Sequence, residues 1–425
     1  MVLLATIILA LMALINYILG GKRLFYPPVV FCSVWAVDLA IIWLAGDFFY
    51  PLSNMALTIF CIGGLAFSVG SALALFLPIK AESQRITPGS NRLITFLVIA
   101  LACSSPFVYT TLMNMAASYN APNFLMGAYM AMVAANAEGE RLVLLSGILT
   151  LSVVVAMIAF LEYQTGKKRA LLAIVIAFAF NIMTGGRSSV TGLIFALVYI
   201  DWFKNNRVRW RQMALLLSIL VLIFCVMAVF VGKGGASADV SLSDNVRPVL
   251  EGVVLYAVGG IVGFDRVLRQ PNVIPHSWQI DRFFLDTANK FGAHFYIPVI
   301  HADFVSVGPA LSGNVYTMYF AYIDLGYVGM MVLVVLIGFI LGLVHRKAIQ
   351  GKKVAIIMAS FFTNSLILSP YNENYSLALN TLIKIFILSW LVYNLPSRWR
   401  QLSGFLARIN LHLAPPERKL PPVRH

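Results

Sequence analysis

The stretch KKRALLAIVIAFAFNIMTGGRSSVTGLIFALVYIDWFKNNR, residues 167–207, decides the fold class. Two apolar runs, 170–183 and 190–203, are joined by Thr184-Gly-Gly-Arg-Ser-Ser189. Lys167, Lys168 and Arg169 close the first run, and Lys204 and Arg207 close the second. Basic residues at both open ends of an apolar hairpin hold those ends at one membrane surface, while the turn dips toward the other.

Working outward, the same pattern repeats. Apolar runs cover 2–19, 29–46, 55–77, 93–114, 142–161, 170–183, 190–203, 213–232, 326–344, 354–369 and 377–395. They are too long and too continuously apolar for barrel strands, and only helices or closed barrels satisfy the backbone in lipid. The expected fold is all-α: a polytopic bundle of about 11 transmembrane helices. Composition agrees, with 60% hydrophobic and 11% charged residues against about 45–50% and about 25% in soluble chains. That excludes a cytosolic enzyme and a disordered regulator. No basic residue precedes the run 2–19, so a retained span is expected there rather than a secretory signal. Cys32, Cys61, Cys103 and Cys225 all lie in apolar runs, as buried thiols rather than disulfide or metal ligands.

The net charge of +14 resolves into topology. Of the 31 Lys and Arg residues, 22 fall on one set of connections and the C-terminal tail. That set is the cytoplasmic one. The N-terminus is then periplasmic, the C-terminus cytoplasmic, and the basic face meets anionic lipid rather than nucleic acid. Residues 1–395 form a single transmembrane domain that includes a large periplasmic loop, 233–325. Residues 396–425 form a cytoplasmic tail, amphipathic around Arg398, Trp399 and Phe405 and then proline-rich. No internal repeat is visible, which weighs against the inverted repeats common in transporters.

The chemistry is sought at the periplasmic ends. Runs of 14 residues rise about 21 Å against a hydrocarbon core of about 30 Å, so the turn 184–189 is expected below the surface, in a cavity. Gly185 and Gly186 permit the turn, and Ser188 or Ser189 can cap the returning helix. Arg187 then stands at a helix N-terminus, where free N–H groups, the dipole and a guanidinium together suit a diphosphate. The plain alternative is that Arg187 reaches to the interface or pairs with Asp38; Lys384 is the other strictly intramembrane charge.

The large loop has a short apolar stretch, 253–264, expected as a helix lying in the outer interface with Asp265, Arg266 and Arg269 at its polar end. No Asp-x-Asp pair is present to hold a divalent metal, so arginines would have to neutralise a departing diphosphate. Arg187, Arg266 and Arg269 are the first candidates, followed by Arg247 and Arg282. His294, His301, Asp265, Asp303 and Asp324 are candidates to activate an acceptor hydroxyl. No spacing singles one out. The loop as a whole suits a lid over a membrane-surface site, or a merely folded outer domain.

The run Thr184-Gly-Gly-Arg187-Ser-Ser-Val-Thr-Gly-Leu193 resembles the T-G-x-R-x-x-x-x-x-L turn of bacterial oligosaccharide repeat-unit polymerases, the O-antigen polymerases. Asn314-Val-Tyr-Thr317 with Tyr322-Ile-Asp324-Leu-Gly326-Tyr-Val-Gly329 resembles their approach to a late span. The layout, with many spans and one dominant outer loop, is similar across most of the chain. The resemblance implies a glycosyltransferase of the inner membrane that needs no cofactor and no metal. Its donor and acceptor would both be undecaprenyl-pyrophosphate-linked oligosaccharides. The growing glycan would pass to the next repeat unit at the periplasmic face, releasing undecaprenyl pyrophosphate, with a separate chain-length regulator as possible partner. It implies catalytic roles for Arg187 by motif and Arg266 by position. His301 and Asp324 are placed with them, and Gly186, Ser188, Ser189, Arg247, Asp265, Arg269, Arg282 and His294 are assigned to substrate binding. Two alternatives stay open. The related O-antigen ligases share the architecture and use a histidine late in the loop, which His294 or His301 would match. A flippase or transporter of lipid-linked sugars is the reading from another class.

Overall fold

A computed structural model describes residues 1–78, 90–138, 143–185, 187–205, 242–270, 276–277, 279–296, 304–309, 311–376 and 378–395, with scattered positions between 207 and 226. The described chain is almost wholly helical. In order come α1 (Val2–Leu19), α2 (Pro27–Ala45), α3 (Asn54–Phe76), α4 (Asn91–Ala117), α5 (Phe124–Glu138), α6 (Val143–Leu161), α7 (Lys167–Met183) and α8 (Arg187–Asn205). After them come α9 (Leu242–Arg269) and α10 (Arg282–Lys290). A small antiparallel hairpin follows, β1 (Val305–Gly308) and β2 (Leu311–Gly313), with Val305 opposite Gly313. The chain ends in α11 (Gly326–Ile349), α12 (Lys353–Ile367) and α13 (Leu379–Leu395).

Among the described residues, six helices are long and apolar enough to cross a membrane: Val2–Leu19, Pro27–Phe48, Asn54–Phe76, Asn91–Ala117, Leu144–Leu161 and Ile323–Ile349. The protein is therefore an all-α membrane bundle. α1 shows what that means locally. Leu3, Leu4, Ile7, Leu11, Leu14 and Ile15 are exposed, and only Ala5, Leu9, Ala13 and Asn16 are buried. A helix apolar all round that leaves most of its large side chains outside needs lipid as its solvent.

The ends are set by local chemistry. Ser53 caps α3 by accepting from the Ala56 N–H at 3.1 Å. Ser90 caps α4 from the Leu93 N–H at 3.3 Å. Pro27 and Pro28 open α2, where a missing N–H costs nothing. The basic residues expected to close the hairpin instead extend it: α7 begins at Lys167 and α8 runs to Asn205. Long cationic side chains can do this by reaching to the headgroups from within a helix.

Two packing units share the bundle. The first joins α1, α2, α3, α9, the hairpin and α11 around Trp35, Phe60, Phe264 and Tyr319. The second joins α4, α6, α7, α8, α12 and α13 around Val155, Phe180, Tyr199 and Ile385. α12 links them, with Phe362 and Leu366 in the first core and Ile356 and Ile357 in the second. The tightest pairing is α3 on α11, through glycine. A side chain on Gly338 would strike the Phe67 carbonyl, and one on Gly342 would meet Ser71 and Ala74. Ser71 adds a hydrogen bond to the Gly338 carbonyl at 2.8 Å. The Gly338-x-x-x-Gly342 pair thus serves close helix packing, as its spacing suggests.

Contacts sort the connections onto two faces. Lys353 pairs with Glu162, Arg346 donates to the Ala74 and Leu77 carbonyls, and Arg169 donates to Asn91 at 3.0 Å. These residues, with Lys22 and Arg23, mark a basic face. Ser53 bonds Asp265, Tyr50 bonds Val307 and Tyr322 bonds Glu373 at the opposite, loop face.

Two readings change, and a third is extended. The stretch 253–264 does not lie on the outer interface. It belongs to the 28-residue α9, whose Val258, Ile261, Val262 and Phe264 are buried against α2, α3 and the hairpin. The segment before the run 142–161 holds a further apolar helix, α5, packed on α4. The hairpin helices are longer than their apolar runs, with 17 and 19 residues that rise about 26 and about 29 Å. Most of the run 213–232 and all of the tail 396–425 lie outside the described residues.

Candidate functional site

The site begins with how α9 reaches its neighbours. Gly260 and Gly263 lie against backbone. A side chain on Gly263 would hit the Asn314 carbonyl, and one on Gly260 would sit 3.3 Å from the Pro370 carbonyl. Without side chains at these points, α9 lies flush on the segment 314–317 and on the 368–376 connection. Tyr256 then stacks on Tyr371 with ring centres 4.0 Å apart. The next residues along α9 are Asp265, Arg266 and Arg269, at its C-terminal end, where cations complement the dipole.

Asp265 is buried and fully engaged. Arg269 pairs with it at 2.7 Å, one helical turn on. The Ser53 N–H donates to both carboxylate oxygens at 3.2 Å, and the Ser53 hydroxyl makes a further short bond. Arg269 also donates to the Pro51 carbonyl. One aspartate and one arginine therefore cancel, and the cap of α3 locks them in place.

Arg266 is left over. It is half-buried, and among the described residues it has no hydrogen bond and no ion pair. It lines a recess of about 120 Å³ with Tyr50, Pro51, Val262, Asp265, Arg269 and Ser306. Ser306 sits on β1 with its hydroxyl 3.4 Å from that of Tyr50. The recess thus carries one uncompensated planar cation, with a second guanidinium and two hydroxyls beside it. A partly desolvated guanidinium without a carboxylate is suited to a phosphate-type anion.

A second polar cluster holds the loop to the bundle. Asp324, exposed in the turn before α11, accepts from the Ser277 N–H at 2.9 and 3.0 Å and from its hydroxyl at 2.7 Å. His276 Nδ1 lies 3.5 Å from the same carboxylate. Asp324 therefore clasps the loop. Deeper, the segment Met318–Tyr322 is wholly buried and reaches Trp35, whose ring centre lies 4.9 Å from that of Tyr319. Glu373, also buried, accepts from Tyr322 at 2.8 Å and from Tyr375 N, Ser376 N and Ser376 Oγ at 2.7–2.8 Å. Burial first, and then the Glu373 carboxylate, holds the Tyr322 hydroxyl protonated well above its usual range.

The remaining sequence candidates fall as follows. Arg187 opens α8, with Ser188 beside it, and Arg247 lies in α9; the side chains of all three are outside the described residues, as are Gly186, His301 and Asp303. Ser189 is exposed in the first turn of α8. The turn itself is covered. Gly185, at φ 67°, packs under Tyr129 and Leu125 of α5, and the Thr184 hydroxyl bonds the Asn181 carbonyl at 2.8 Å. α5 covers this turn. Arg282 opens α10, and His294 is exposed beyond it. Asp38 and Lys384 make no ion pair with each other. α8 packs on α6, α7 and α12, whereas α9 packs on α2, α3 and the hairpin, so Arg187 and Arg266 stand on different packing units.

Sequence reasoning grouped Asp265, Arg266 and Arg269 and missed Tyr50, Ser53, Ser306 and Glu373. Ser53 and Asp265 are 212 positions apart, and no spacing in the chain announces that meeting. Glu373 had a detectable signal, as one of very few acidic residues between α11 and the C-terminus. No family model matches the chain, and no curated protein or solved structure matches it either.

Proposed function

We propose that this chain is a membrane-embedded glycosyltransferase that polymerises undecaprenyl-pyrophosphate-linked oligosaccharide repeat units at the loop face. In this reading the loop face is periplasmic, the N-terminus lies there, the C-terminus is cytoplasmic, about eleven helices cross the inner membrane, and residues 233–325 are the outer loop. The observation that carries the proposal is Arg266: a half-buried guanidinium in a recess at the loop face, unpaired among the described residues, beside an Asp265–Arg269 pair that is already neutral.

The donor carries two phosphates that leave together as undecaprenyl pyrophosphate. As the bond from sugar C1 to the diphosphate oxygen breaks, negative charge grows on that oxygen. Arg266 would meet this charge directly, with Arg269 and the Tyr50 and Ser306 hydroxyls next to it. Groups held in place before the reaction stabilise developing charge without reorganising. The acceptor hydroxyl of a second lipid-linked unit bonds to C1 and passes its proton to water at the loop face, so that one glycosidic bond replaces one sugar–phosphate bond. Arg187, at the start of α8, would serve the other substrate or the far phosphate, consistent with its position on the second packing unit.

The test is a deletion strain carrying either this gene or an empty vector, with the surface polysaccharide resolved on a gel. Loss of the chain should leave lipid A core capped with a single repeat unit. Bare core with long lipid-linked chains accumulating would make the protein the ligase. An unchanged ladder would contradict both readings and favour the flippase or transporter.

A further inference from the structure

The loop-face segment 281–296 presents aromatic side chains outward. α10 has the sequence RFFLDTANK and begins directly after Asp281. Beyond it, Phe291 is 88% exposed, Phe295 55% and Tyr296 81%. Phe304, which leads into β1, is 73% exposed. The presentation is built rather than loose. The Asn289 side chain donates to the Phe295 carbonyl at 2.8 Å and accepts from the Phe295 N–H at 2.8 Å. Gly292 takes φ 94°, a conformation open to glycine, and turns the chain between these two bonds.

Bonds on either side tie this segment to the bundle. Ser277, upstream of α10, is tied to Asp324 at the start of α11. Val307, downstream, accepts from the Tyr50 N–H at 2.9 Å just before α3. The segment is therefore held at the ends of spanning helices. Those ends are themselves apolar and exposed: Trp43 and Leu44 on α2, Tyr327 and Val328 on α11. The aromatic segment is thus bracketed by bonds to the exposed apolar ends of spanning helices. Aromatic rings concentrate at that depth, between hydrocarbon and headgroups.

We infer that residues 281–296 and Phe304 form a membrane-surface contact that seats on the leaflet at the loop face, with Phe291, Phe295, Tyr296 and Phe304 among its phospholipid headgroups. The occupant is phospholipid rather than a protein, because both ends of the segment are tied at the ends of spanning helices whose exposed apolar side chains need lipid. Seating Phe304 fixes the start of β1, and Ser306 two residues on lines the Arg266 recess. The recess is thereby held at headgroup depth. The value of that depth for a lipid-linked diphosphate rests on the proposed function; the seating does not.

The experiment places the photo-crosslinker p-benzoylphenylalanine at Phe291 or Tyr296 of the full-length protein, in nanodiscs of phosphatidylethanolamine and phosphatidylglycerol. After irradiation, intact-mass spectra should show phospholipid adducts as the main product at both positions. Crosslinked dimers as the main product would assign the patch to a second copy of the chain. Adducts to another protein in native membranes, with none to lipid, would assign it to a partner. No adduct at either position would leave the rings in water. Each of these three outcomes overturns the inference. A second measurement uses Tyr296→Trp, whose added emission should fall by at least half in nanodiscs brominated near the headgroup end of the acyl chains. Unquenched emission would overturn it as well. Neither readout involves a sugar substrate, so failure here is separate from failure of the polymerase reading.

Discussion

Arg266 and Arg269 are three residues apart, yet their surroundings give them different work. Arg269 is held by Asp265 and the Pro51 carbonyl, whereas Arg266 faces the recess with no partner among the described residues. Arg266→Ala should therefore lower glycan polymerisation about 10²–10³-fold, the usual scale for losing one charge-stabilising donor, with little change in Tm. Arg266→Lys should recover only a small part, since a point charge does not reproduce the planar fork. Arg269→Ala should behave in the opposite sense. It leaves the buried Asp265 with Ser53 alone, so detergent-solubilised protein should lose about 1–3 kcal/mol of stability, with activity falling alongside. Thermal unfolding and polymerisation assays on matched samples separate the two. The grouping of Asp265, Arg266 and Arg269 was legible, because neighbours on one helix end are neighbours in sequence. Ser53 and Tyr50 were not, because long-range pairing leaves no local pattern.

Among the elements, α3 and α11 test how the bundle is held together. Their axes approach through Gly338 and Gly342, with backbone directly opposite. Gly338→Val should push the helices apart and cost about 1–3 kcal/mol, as overpacked contacts do, read as a lower Tm in detergent. An unchanged Tm would mean that the contact is loose. The 368–376 connection offers a parallel case. Glu373→Ala strands the Tyr375 and Ser376 N–H groups and the Tyr322 hydroxyl, so the buried 318–322 segment should loosen and become protease-sensitive. Glu373→Gln, which keeps an acceptor, should be milder. Helix positions were largely readable: the run 2–19 is α1 to the residue, and the hairpin runs 170–183 and 190–203 differ from α7 and α8 only by two or three residues at an end, 167–169, 187–189 and 204–205. α5 was missed and α9 was read only over 253–264, each for a physical reason. α5 is apolar but too short to span, and α9 has a polar first half, Leu242–Glu251, that hides a helix continuing into the bundle.

At the scale of the whole molecule, the account is of two packing units joined through α12, with charge sorted to one face and the recess at the other. The orientation it proposes predicts that alkaline phosphatase fused after residue 395 stays inactive, while fusion after residue 51 is active. The reverse pattern would turn the recess toward the cytoplasm. The central claim is that Arg266 meets the charge of a departing diphosphate. It is tested most directly with full-length protein in nanodiscs supplied with undecaprenyl-pyrophosphate-linked repeat unit. Product length and released undecaprenyl pyrophosphate are followed for wild type and Arg266→Ala at equal, folded concentrations. The account predicts a ladder from wild type with one undecaprenyl pyrophosphate released per new linkage, and single repeat units only from Arg266→Ala. Equal ladders from both proteins, or no chain growth from wild type, would contradict it.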